Sequence, residues 1–158
     1  MFSLIISIIS IALVAALAAA TVYFGGAAFN KGSAGADAST FINAGQQVAG
    51  AFTLAFADGY SPATVDDLNS GSSVTNNEVY LAQVPTYKGT ALTTFDTTET
   101  NYISLANVSG QVCDEINKRA HGNNYVFATV KSAGIEGLYG CVGGADVDAT
   151  GQAFYKVK

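Results

Sequence analysis

Two cysteines, Cys113 and Cys141, are the most reactive side chains in this sequence, and they stand neither in a CxxC pair nor beside other metal-type ligands. Behind an N-terminus of membrane type they point to an exported chain with one disulfide, the alternative being two buried thiols. Such a bridge closes a loop worth about 3–4 kcal/mol by chain entropy. His121, the single histidine, precedes Gly122 at a predicted helix end, where a cationic ring favours the helix dipole. Asp146, Asp148 and Thr150 alternate ahead of Gly151 in the manner of the start of a calcium loop. The complete loop needs a bidentate Glu at its twelfth position, where Val157 stands, and a tight turn accounts for Asp and Gly equally well. No metal is assigned on that basis. Asn107-Val108-Ser109 has the form of a glycosylation sequon, but Ser109 is better used as the cap of a following helix. No catalytic triad motif, phosphate loop or metalloprotease motif occurs, so neither catalysis nor a cofactor is expected.

The elements that carry these residues follow from how charge is distributed. Residues 1–30 contain no Asp, Glu, Lys, Arg or His, and Lys31 is the first charged side chain. The formal net charge of −5 and the lack of any basic block exclude a general nucleic-acid binder. From Phe2 to Phe24 the chain is almost wholly aliphatic, small or aromatic, longer than the ~20 residues a bilayer requires. A secretory signal would carry a basic region ahead of its apolar run. None precedes this one, which fits a short basic leader already removed or never present. Ala12, Ala16 and Ala20 recur at the spacing that lets helices approach closely. Ser3, Ser7 and Ser10 form a weakly polar stripe, for which a neighbouring helix gives a reason and lipid does not. The segment then continues through Gly25-Gly26 and Gly32, expected points of kinking or melting.

Residues 34–57 keep helical periodicity, with Phe41, Gly45, Val48, Phe52 and Phe56 on one face and Asn43, Gln46, Gln47, Gly50 and Thr53 opposite. Asp58-Gly59 ends the stem. Ser61-Pro62 signals a short helix ending near Asn69-Ser70-Gly71. Strands are expected at 78–84, 101–108, 125–131, 138–142 and 153–157, with an exposed loop over 86–101. A second helix runs from a Ser109 cap to Gly122, with Val112, Cys113, Ile116 and Ala120 inward. Its outer face pairs Asp114 with Lys118 and Glu115 with Arg119. The expected fold is α+β: a long N-terminal helix and a small head with an antiparallel sheet of four to five strands and one or two short helices. The expected divisions are a transmembrane or core helix over 1–30, its amphipathic continuation over 31–57, and the head over 58–158.

This layout resembles the type IV pilin family. The resemblance rests on the uncharged start Met1-Phe2-Ser3-Leu4-Ile5-Ile6, the stem Phe41-Ile42-Asn43-Ala44-Gly45-Gln46-Gln47-Val48, and two cysteines in the C-terminal third. The helix carrying Cys113 between strands is closer to the type IVb branch. The resemblance implies insertion in the inner membrane, removal of a leader by prepilin peptidase, N-methylation of the first residue, here Met1, and handling by pilus assembly machinery. It further implies self-association into an extracellular filament through the N-terminal helices, with the cysteine pair stapling the exposed end of the head. The sequence departs from the family at the fifth position, where Ile5 replaces the usual Glu. A type II secretion pseudopilin and a membrane-tethered periplasmic or extracellular binding module are the alternatives.

Overall fold

The computed structural model describes residues 2–70, 79–92, 94–96, 102–122, 137–143 and 150–157. The fold is α+β, with a long N-terminal helix, a small C-terminal part of antiparallel strands, and short helices. Helix α1 runs Phe2–Ala57. Helical backbone continues through Gly25, Gly26 and Gly32, so the melting expected there does not occur; the alanines on either side of them favour the helix. The chain divides into two compact units, Met1–Ser33 and Ala34–Lys158.

Within the second unit, α1 buries Ala34, Ala38, Phe41, Ile42, Ala44, Gly45, Val48, Ala51, Phe52 and Ala55. These fall at steps of three and four, the spacing of one helical face. Phe56, expected on that face, lies 48% exposed, and Ala55 takes the inward position. Helix α2 (Val65–Ser70) begins one turn later than Ser61-Pro62 suggested. Its start is fixed by a reciprocal cap in which the Asp67 amide donates to Thr64 Oγ1 at 3.3 Å, while Asp67 Oδ2 accepts from the amides of Thr64 (2.8 Å) and Ala63 (3.0 Å). Val65 and Leu68 then enter the core fully buried.

The strand expected at 78–84 is absent from 79–84, where Tyr80 and Leu81 instead donate their amides to the Leu68 carbonyl. The region expected to be a loop carries three short strands, β1 (Thr86–Tyr87), β2 (Thr90–Ala91) and β3 (Thr94–Asp96). Thr and Tyr favour strands, which gives these short polar segments their pairing. β4 (Tyr102–Ser109) runs directly into α3 (Gly110–His121), followed by β5 (Tyr139–Gly143) and β6 (Thr150–Lys156). The strand expected at 125–131 lies outside the described residues. β1 and β2 form a hairpin, and the larger sheet has the antiparallel order β3-β4-β6-β5.

Alternation along β4 sends Ile103 and Leu105 into the main core with α1 and α3. Tyr102 belongs to a second cluster, where its ring meets Phe154 edge to face at 5.9 Å. Between Leu105 and Val108 the β4–β6 register shifts by one residue, a bulge that places Asn107 in left-handed backbone (φ 61°). Gly45 permits a close helix–sheet approach: a Cβ there would overlap the Tyr155 ring of β6. Gly151 does the same beside the sulfurs, since its Cβ would collide with Cys113 Sγ.

Candidate functional site

The first unit presents its side chains to the outside along its whole described length. Every residue from Phe2 to Ser33 is exposed, including fourteen large apolar side chains that are each more than half exposed. Together they exceed several-fold the roughly 300–600 Å² apolar patch a typical soluble monomer carries. Phe2–Ala57 contains a stretch long and apolar enough to cross a membrane, with none of that stretch buried. Ala12, Ala16 and Ala20 lie exposed along one stripe of it, and Ile5, also exposed, falls two turns before Ala12 on the same side. Ser7 Oγ donates to the Ser3 carbonyl at 2.9 Å, and Ser10 Oγ to the Ile6 carbonyl at 2.8 Å. Their hydroxyl protons are thereby satisfied within the helix, which makes the serines inexpensive in any apolar surroundings. The serine stripe is thus accommodated in lipid as well as against a neighbouring helix. Met1 lies outside the described residues.

The second unit holds its stretch of α1 by contacts of two kinds. Aromatic and branched side chains grip residues 41–55, while only Ala34 and Ala38 are fully buried earlier. That earlier turn is held by cations. Arg119 of α3 donates to Ser39 Oγ, and to the Gly35 carbonyl at 2.9 Å. Lys88, at the tip of the β1–β2 hairpin, meets Asp37 Oδ2 at 2.6 Å. The hydrogen bond to Asp37 raises the Lys88 pKa above the usual lysine value. Burial, and then the Asp37 charge, raise that of Tyr87 beside it. Arg119 therefore serves α1 rather than the expected partner Glu115. A lone arginine on a helix surface gives no sign in sequence of a carbonyl across the fold.

Cys113 and Cys141 form a disulfide, with Cα atoms 5.2 Å apart and both residues fully buried. One helical turn beyond Cys113, Asn117 reaches the same strand residue. Its Nδ2 donates to the Cys141 carbonyl at 2.9 Å, and its Oδ1 accepts from the Cys141 amide at 2.7 Å. Among the described strands β5 borders the sheet; these backbone groups face Asn117 rather than β6, and Asn117 pairs them as a strand would. Sequence reasoning missed Asn117; a polar residue at i+4 from Cys113, on the stripe predicted to be buried, was the available signal.

The remaining candidates sit apart. Ser109 occupies the position before α3 with extended backbone, but its side chain makes no cap bond. Its backbone instead pairs with Thr150 across the sheet. Gly122, in left-handed conformation, closes α3 as expected. His121 ends the helix against the backbone of Gly137. Of the calcium-loop residues, Thr150 is an exposed strand residue and Asp146 and Asp148 lie outside the described residues.

No protein-family model, curated protein or solved structure matches this chain.

Proposed function

We propose that this chain is the structural subunit of an extracellular bacterial filament of the type IV pilin kind, assembled through its apolar N-terminal helices. The reading has no catalytic step and calls on no cofactor. One observation carries it. The second unit closes its own core and staples it with a disulfide, whereas residues 2–33 leave a charge-poor, fully exposed helical surface far larger than a soluble monomer tolerates. Copies of the same helix offer cover along its whole length, with Ala12, Ala16 and Ala20 allowing close approach. Before assembly, the inner membrane would cover the same surface. With Ile5 in place of Glu, no carboxylate needs a partner in that apolar environment, and register would come from shape.

A membrane-tethered binding module is the second reading. The internal bonding of Ser7 and Ser10 favours it, because such a helix also suits lipid without a partner. Electron microscopy of sheared cell-surface material, with the fibres identified by mass spectrometry, separates the two. The filament reading expects this chain to be the main component of a fibre. Recovery of the chain only in the membrane fraction would overturn it in favour of the tether.

A further inference from the structure

The two non-glycine residues with left-handed backbone among those described, Lys88 (φ 47°) and Asn107 (φ 61°), line one and the same cavity. Lys88 precedes Gly89 (φ 81°) at the hairpin tip, a position that Asn or Gly fills at less cost. Asn107 is aimed by the β4 bulge. Residues in such backbone persist only where their surroundings impose it, and they concentrate at functional sites. The cavity has a volume of about 280 Å³, roughly twice the ~150 Å³ that accommodates a benzene ring. One substituted six-membered ring fits, and a folded peptide does not.

The walls define the chemistry. Tyr87, Lys88 and Thr90 come from the hairpin, and Ser104, Ala106 and Asn107 from β4. Lys88 is the one charged residue among those lining the cavity, and Asp37 neutralises it at 2.6 Å. Tyr87, with its pKa raised, remains an uncharged phenol at neutral pH. An ionic ligand would find no uncompensated charge here. A hydrocarbon would strand the Thr90 and Ser104 hydroxyls and the Asn107 amide without partners. We propose that this cavity, between the β1–β2 hairpin and the β4 bulge, binds a single neutral polyhydroxylated ring of hexose size, such as a terminal sugar of a glycan. The inference does not depend on the filament reading.

The test titrates the full chain, isotope-labelled in phosphocholine micelles, with glucose, galactose, mannose and N-acetylglucosamine, and with N-acetylneuraminate and inorganic phosphate as charged counterparts. At least one neutral sugar should give saturable NMR shifts at residues 87–91 and 104–107, with a Kd of about millimolar order. Asn107→Gly keeps the left-handed backbone and removes the amide side chain; it should weaken binding about tenfold, the loss of one good hydrogen bond, without lowering the melting temperature. Thr90→Val is the second, nearly isosteric variant, with the same expected loss. The proposal fails if none of the neutral sugars gives saturable shifts up to roughly a hundred times that millimolar scale. It also fails if both variants bind like the parent, or if only the charged compounds bind.

Discussion

Asn117 replaces a strand with a side chain, and the cost of losing it can be stated. Asn117→Leu would leave the Cys141 amide and carbonyl buried without partners, while the disulfide one turn away still holds the backbone in place. At about 1–3 kcal/mol for each of the two stranded groups, a loss of roughly 2–6 kcal/mol is expected from chemical denaturation of the oxidised head. A loss below about 0.5 kcal/mol, the range of ordinary surface substitutions, would show that water or a rearranged helix supplies the bonds. A second residue-scale effect concerns alkaline pH. Tyr87 and Tyr155 are raised chiefly by burial, and Lys88 chiefly by its hydrogen bond to Asp37. Each group holds its proton more tightly when folded. The associated stability is therefore complete below the unfolded values near pH 10 and is lost as pH rises through the higher folded values. Melting temperature should fall progressively above about pH 10; a flat profile there would contradict these environments.

At the scale of elements, Gly45 lies on the face of α1 packed against β6, whereas Ala12, Ala16 and Ala20 lie on its exposed part. Gly45→Ala places a methyl group into the Tyr155 ring, which is buried and stacked on Tyr139 at 5.9 Å. Overpacking of this kind costs about 1–3 kcal/mol, so the melting temperature should fall. An unchanged melt would mean that α1 and β6 are less closely apposed. Ala16→Trp should do the reverse, impairing assembly while the melting of the head stays unchanged. Equal loss of both would contradict the division of labour between residues 2–33 and the rest. The stem face, the β4 strand and α3 were legible in the sequence because their apolar spacing is regular and their ends carry Gly or a turn. Phe56 misled because periodicity alone cannot tell where a buried face stops. The hairpin at 86–91 was missed because polar Thr and Tyr hide a strand of only two residues, and the cap at Thr64 because Asp67 serves the role more often given to Glu or Gln. Arg119, Lys88 and Asn117 act across the fold, on partners 80, 51 and 24 positions away, and local patterns hold no record of such pairings.

For the whole molecule, the two units divide the physical demands placed on the chain. Among the described residues of Ala34–Lys158, α1, β4, α3 and β6 close an apolar core, and the Cys113–Cys141 bridge limits how far the chain can expand when it opens. Residues 2–33 bury none of their apolar side chains and need cover from elsewhere, in lipid or in other copies of the helix. Under the filament proposal this helix is the assembly device. Its most direct test compares the full chain with a variant lacking residues 1–33, each exported and examined by sedimentation and electron microscopy. Fibres are expected from the full chain, and from the variant a soluble, disulfide-bonded monomer that melts cooperatively and forms none. Fibres from the variant, or their absence from both, would contradict it.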